Sequence, residues 1–251
     1  MTNKTTHRGC TMLYYIARGF FWLLLRGLIA ILGGLRAEGT QNIPRHGPLI
    51  VAPNHPSLSD PVVIGLTLKR PAYFMANDEI FRIPILGPLA RFLRAYPVKQ
   101  DSPDRSALHY TEGLLKRGEA VVIFPEGHVS SDGTLKPIQP GLVMLARRTG
   151  APVLPVGLIG TERIIPYGKF IPRPAGRRIL VRYGQPIPVE ELTGGLKARE
   201  GLNYGVQLLA RKLNELTQEP ASSSGGEICS YAKKSPLHPE GVAEYSNGEE
   251  P

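Results

Sequence analysis

The chain has 251 residues, enough for one large core or two small ones, and 42% hydrophobic content is ordinary for a globular protein. Its formal net charge of +9 draws it to anionic partners such as phospholipid head groups, acidic carrier proteins or nucleic acid. Cys10 and Cys229 are its only cysteines, which excludes a disulfide framework and suits a reducing compartment, and with no H-E-x-x-H, G-x-x-x-x-G-K-[ST] or G-x-G-x-x-G motif no metal or cofactor is implied.

Residues 12–35 are the most apolar segment, interrupted by Arg18 and Arg26. A spanning helix wants about 20 predominantly apolar residues, and a central arginine costs about 2.5 to 3.5 kcal/mol on insertion scales. Eight residues apart, the two arginines lie within about 80° of each other around a helix, so both can snorkel from one side. Phe20, Phe21, Leu24, Leu25 and Leu28 are then expected to enter lipid. Residues 1–36 are expected to form an N-terminal amphipathic membrane-anchoring segment, monotopic on the cytoplasmic face of a membrane. A core helix with two exposed arginines, a tilted span and a cleaved signal peptide are the alternatives, the last without a clear cleavage site.

From Leu35 to Thr217, short β-like runs alternate with helical patterns. Strands are predicted at Leu49–Ala52, Ala72–Met75, Ala120–Phe124, Val153–Leu158 and Ile179–Tyr183. Helices are predicted at Pro61–Lys69, at Ser106–Lys116 with Gly118 just beyond, and at Gly141–Thr149 with Gly150 as the stop. Leu202, Val206, Leu209, Leu213 and Leu216 recur at helical spacing and read as one face of a closing core helix. The alternation predicts an α/β fold with a mostly parallel central sheet flanked by helices. Ligands in that architecture bind beyond the carboxyl ends of the strands.

Directly after the first of these strands stands N-H-P-S-L-S-D, with His55 five residues before Asp60. Five residues of regular helix turn by roughly 500°, so the two side chains meet only across a turn. Pro56, Ser57 and Ser59 suit that turn, with either serine able to cap it, and Pro61 suits the start of a helix. An imidazole oriented by a carboxylate is a general base in waiting. Asp60 before Pro61 also fits an ordinary helix N-cap.

Three further segments follow in order: R-A-Y-P-V-K-Q-D-S-P-D-R, V-I-F-P-E-G and A-P-V-L-P-V-G. Together with N-H-P-S-L-S-D they resemble the four ordered blocks of the 1-acylglycerol-3-phosphate acyltransferase family of glycerolipid acyltransferases, over roughly residues 35–190. The resemblance implies that His55 removes a proton from an acceptor hydroxyl, which attacks the thioester of acyl-CoA or acyl carrier protein as co-substrate. Asp60 then orients His55 and stabilises its imidazolium, and no acyl-enzyme is required. The third block of the family continues F-P-E-G-T-R-S and is associated with the acceptor's glycerol phosphate. Glu126 and Gly127 match it, but His128 and Val129 follow, so the arginine is absent. Valine offers no side-chain donor to a phosphate. Lys99, Arg105 and Lys136 are the substitutes expected to bind it, alongside the Gly127 backbone, although Lys99 and Arg105 also fit plain surface bases. His128 either donates to phosphate or merely fills the threonine position. The fourth block reads as a strand lining the acyl pocket or as plain core.

Between Thr161 and Arg182 lie Arg163, Lys169, Arg173, Arg177, Arg178 and Arg182 against Glu162 alone, interleaved with Pro, Phe and Tyr. Such a stretch suits anionic lipid or an acidic carrier protein; no nucleic-acid motif accompanies it. Residues 219–251, with six acids and two bases, read as a disordered acidic tail. The expected organisation is an anchor over 1–36, an acyltransferase domain over 37–218 and the tail. The expected function is acylation of 1-acylglycerol-3-phosphate to phosphatidate. The alternatives are another lysolipid acceptor, a non-catalytic lipid-binding protein of the same fold, or a hydrolase using the same histidine on water.

Overall fold

The computed structural model describes residues 5–99 and 104–218, with side chains from residue 19 onward. The expected tail, 219–251, lies outside the described residues. In chain order come α1 (Thr5–Leu32), β1 (Leu35–Glu38), β2 (Leu49–Pro53), α2 (Asp60–Thr67), β3 (Ala72–Asn77), α3 (Leu86–Phe92) and β4 (Ala95–Val98). They are followed by α4 (Arg105–Lys116), β5 (Ala120–Val122), α5 (Gly141–Thr149), β6 (Val153–Ile159), α6 (Thr161–Ile164), β7 (Ile179–Tyr183), α7 (Val189–Thr193) and α8 (Ala198–Thr217).

The strands form one sheet in the order β1-β7-β6-β2-β5-β3-β4. Every neighbouring pair is parallel except β6 and β7. The central strand β2 is buried along its whole length, with Val51 opposite Val122 on one side and Leu154 on the other. Alternate residues of a strand face opposite sides. Leu49 and Val51 accordingly join one core with Phe74, Val122, Val156 and residues of α1 and α2. Ile50 and Ala52 join the other, with Val121, Val153 and residues of α4, α5 and α8. Each fully buried Leu, Ile or Val contributes about 1.5 to 3 kcal/mol relative to exposure, so β2 and the similarly buried β6 beside it anchor the sheet.

The predicted strands and helices are present, with ends shifted by a few residues. Three features differ from the alternating pattern. β1 and β4 are short edge strands, β4 lying inside the basic second block with Pro97 exposed, where a missing N–H disturbs no ladder. β7 runs antiparallel to β6 because the connection after α6 is an irregular excursion, not a helical crossover.

Helix α1 is apolar on two faces. Ile29 and Leu32 are buried, and Trp22 and Leu25 pack against the same core. The Phe21 ring lies 4.4 Å from that of Phe92, so Phe21 and Leu25, expected in lipid, face the protein. A Cβ on Gly65 of α2 would stand 2.4 Å from the Trp22 ring, so a glycine is what lets the two helices approach. Phe20, Leu23, Leu24, Leu28 and Ile31 point away from the domain and are exposed. Among the described residues no helix is long and apolar enough to cross a membrane.

Candidate active site

The carboxyl ends of β2 and β5 lie side by side, and each leads into a loop that carries chemistry. After β2, Asn54 holds its place by acting as one more sheet residue. Its Oδ1 accepts from the Leu158 N–H at 2.7 Å and its Nδ2 donates to the Leu158 carbonyl at 3.0 Å. The next residue, His55, turns its ring back over the loop. Nδ1 lies 2.8 Å from Oδ2 of Asp60, and the ring stacks on Phe124 at 3.8 Å between centroids and 20° between planes. With Nδ1 held by a carboxylate, Nε2 is the nitrogen left for a substrate, and it has no partner among the described residues.

Asp60 is the first residue of α2 but not its cap; Ser59 occupies that position. The carboxylate instead folds back into the turn, where Oδ2 also accepts from the Ser57 N–H at 2.8 Å. Ser57 in turn accepts at Oγ from the Ser59 N–H and donates to the Ile165 carbonyl at 2.9 Å. The turn is therefore fixed by its own serines and tied to a segment over a hundred residues away. Asp60 is fully buried, and burial pushes its carboxyl above the ordinary range. The hydrogen bond and charge of His55 oppose that shift, followed by the Thr161 hydroxyl and the Ser57 N–H. Oδ1 of Asp60 and Oγ1 of Thr161 are buried without a hydrogen-bond partner in ordinary geometry.

Glu126 ties the second loop to the first. Its Oε1 accepts from the His55 N–H and its Oε2 from the Lys136 N–H, both at 2.8 Å. It is only 4% exposed, and burial raises its carboxyl, with the two N–H bonds opposing. The chain reverses at Gly127 with a φ of 76°, a region glycine enters without strain. Beyond the reversal, the Ser130 N–H donates to the His55 carbonyl at 2.8 Å. His55 is thus gripped through its N–H, its carbonyl and its ring.

The remaining expected residues lie further out. His128 is exposed on the Gly127 loop. The Lys136 ammonium pairs with Asp132 at 2.9 Å, and this pair holds the Asp132 carboxyl below the usual range. Lys99 and Arg105 are exposed on either side of Asp104, which caps α4 by accepting from the Ser106 and Ala107 N–H groups and also accepts from the Lys99 N–H. β4 sits three strands from β2, about 14 Å at ordinary strand spacing, and its carboxyl end is on the same edge of the sheet. No described contact joins Lys99 or Arg105 to His55.

Asn54 and Phe124 lie inside the segments N-H-P-S-L-S-D and V-I-F-P-E-G, but only their long-range contacts give them a role, and Thr161 carries no local signal in the sequence.

The chain is a mostly parallel α/β domain that carries the His55–Asp60 pair at the carboxyl edge of its sheet. The family model described as Acyltransferase matches residues 34–159, half of the chain, and the chain belongs to that family. More particular likenesses come from individual proteins. A 1-acyl-sn-glycerol-3-phosphate acyltransferase from Bacillus subtilis is 26% identical over 201 residues, covering 76% of this chain and 96% of that protein. The chloroplastic 1-acyl-sn-glycerol-3-phosphate acyltransferase BAT2 of Brassica napus is 34% identical over 134 residues, 52% of this chain but only 39% of the relative's length. The crystal structure of the 1-acyl-sn-glycerophosphate (LPA) acyltransferase PlsC from Thermotoga maritima superimposes with a TM-score of 0.61 at 26% identity, covering 82% of this chain and 84% of that one.

Proposed function

We propose that the chain is a membrane-associated enzyme that moves a fatty acyl group from acyl-CoA or acyl carrier protein to the free hydroxyl of 1-acylglycerol-3-phosphate, giving phosphatidate. The observation that carries this reading is the 2.8 Å contact between His55 Nδ1 and Asp60, which leaves Nε2 available at the carboxyl edge of the sheet. Family membership and the names of the relatives support the reaction type. In the reaction, Nε2 takes the hydroxyl proton as the oxygen attacks the thioester carbonyl. The carbon–sulfur bond then breaks, and the imidazolium returns its proton to the departing thiolate. General base catalysis of this kind is worth about 10²- to 10⁴-fold in rate. Asp60 orients the ring and stabilises the imidazolium.

Glu126 acts as a positioning residue, because both its oxygens already hold backbone N–H groups of the two loops. Lys99 and Arg105 meet the acceptor's phosphate, with His128 and the Gly127 loop nearer the hydroxyl. Lys136 serves less directly, since Asp132 holds its ammonium. Val129 favours a second reading, a lysolipid with a different head group, because the position carries no donor. The outward face of α1 supports monotopic association with lipid.

The experiment is an acceptor panel: purified protein in vesicles, each acyl donor in turn, and lysolipids differing in head group. Phosphatidate from 1-acylglycerol-3-phosphate is the expected product. Product only from another head group replaces the acceptor, and no product from any acceptor with folded protein removes the enzyme reading.

A further inference from the structure

The excursion between α6 and β7 combines exposed apolar side chains with a one-sign charge. Tyr167, Phe170 and Ile171 are 60%, 66% and 82% exposed. Lys169, Arg177 and Arg178 of the same segment are exposed too, and no acidic residue occurs from 163 to 189. An exposed apolar cluster needs a partner, and a one-sign basic rim names an anionic one.

The loop is built into the fold at both ends. At its start, the Arg173 N–H donates to the Ile164 carbonyl at 2.9 Å, closing its base. Toward its end, the Ala175 N–H donates to the Leu32 carbonyl and the Ile179 N–H to the Gly34 carbonyl, at 2.6 and 3.0 Å. These bonds place it against the end of α1, beside the 80% exposed Ile31. The Ile165 carbonyl, just before the loop, accepts from Ser57 in the catalytic turn. One element therefore touches both the outward-apolar helix and the turn that sets His55.

We propose that residues 166–178 form a second membrane-docking element, independent of α1, which inserts Tyr167, Phe170 and Ile171 into the interface of an anionic bilayer while Lys169, Arg177 and Arg178 meet lipid phosphates. It deepens the lipid-acceptor reading, because it fixes the His55 turn at the surface where a lysolipid hydroxyl is presented. An acidic carrier protein would satisfy the bases but leave three large apolar side chains in water, so a bilayer is the better occupant. Each base near an anionic surface is worth about fivefold in partitioning. Losing two partly inserted apolar side chains is worth roughly tenfold or more.

The test uses the full chain and vesicles of phosphatidylcholine with and without phosphatidylglycerol. The double variant Phe170→Ser, Ile171→Ser should bind both vesicle types about tenfold or more weakly. The triple variant Lys169→Gln, Arg177→Gln, Arg178→Gln should lose only the extra affinity for the anionic vesicles and bind both types alike, and wild-type binding to the anionic vesicles should weaken with salt. All the substituted positions are exposed, so the melting temperature should not move. A nitroxide on Ile171→Cys, in a chain lacking Cys10 and Cys229, should gain oxygen accessibility when vesicles are added. Unchanged binding in both variants, or a label that stays in water, overturns the proposal. So does loss of affinity for purified acyl carrier protein with vesicle affinity unchanged. Vesicle binding needs no turnover, so the outcome is independent of the acyltransferase reading; if that reading holds, the double variant keeps its rate on a monodisperse short-chain lysolipid.

Discussion

Glu126→Gln separates a positioning role from acceptor binding. The carboxylate accepts one backbone N–H at each oxygen, from His55 and Lys136, in a site only 4% exposed. Glutamine keeps the shape but has one acceptor oxygen, so one of the two N–H groups must face an amide NH₂. A lost charge-assisted bond costs about 1.5 to 3 kcal/mol, and an unsatisfied buried donor about 1 to 3 kcal/mol. Relief of the buried charge, which already raises the Glu126 carboxyl, offsets part of this. A net loss of about 1 to 3 kcal/mol follows, which lowers the melting temperature of a domain this size by roughly 2 to 12 °C. Either bond lost loosens the link between the two loops that hold His55, so kcat should fall with it. KM for the lysolipid should stay near wild type, since no acceptor contact is removed. Thermal melts and initial rates over a range of acceptor concentrations measure both. An unchanged melting temperature with a raised KM would show instead that Glu126 binds the acceptor.

Further outcomes follow from the same geometry. Asp60→Asn keeps the size of the side chain but removes the charge that stabilises the imidazolium, so kcat should drop by about 10² to 10⁴ with KM little changed; single-turnover rates check it. Asp104→Ala removes the cap of α4 and should lower the melting temperature at pH 7. The hydrogen bonds of Ser106, Ala107 and Lys99 hold the Asp104 carboxyl below its ordinary value, so this contribution is present above about pH 4 and is lost as pH falls below it. The gap between wild type and variant should therefore shrink in acid, as melts across pH would record. Phe20→Ser, Leu24→Ser and Leu28→Ser together should weaken vesicle binding by at least tenfold while leaving the melting temperature unchanged, since the core residues Ile29 and Leu32 stay in place. Deleting α1 would confuse the two effects.

What could be read in advance had local causes. L-I-V-A-P is apolar throughout because both faces of β2 are covered, and α5 stops at Gly150 because that residue takes a left-handed conformation, φ 68°. The spacing of His55 and Asp60 already required a turn, and the serines that fix it lie between them. Other features depend on contacts distant in sequence. β1 and β4 are four residues each at the sheet's edges, too short for periodicity to register. The reversal of β7 belongs to an irregular loop without a pattern of its own. The inward face of α1 was hidden because an apolar stripe that meets protein looks the same in sequence as one that meets lipid. Thr161 approaches Asp60 only through the path of β6 and α6, and nothing near Thr161 announces it.

The role of His55 as the base for acyl transfer to a lysolipid is tested by comparing wild type and His55→Ala in vesicles containing 1-acylglycerol-3-phosphate and an acyl thioester, with phosphatidate followed by mass spectrometry. Wild type should form phosphatidate, and His55→Ala should be slower by at least about 10²-fold while binding vesicles equally well. Phosphatidate formed by His55→Ala at the wild-type rate would remove His55 from the role of base.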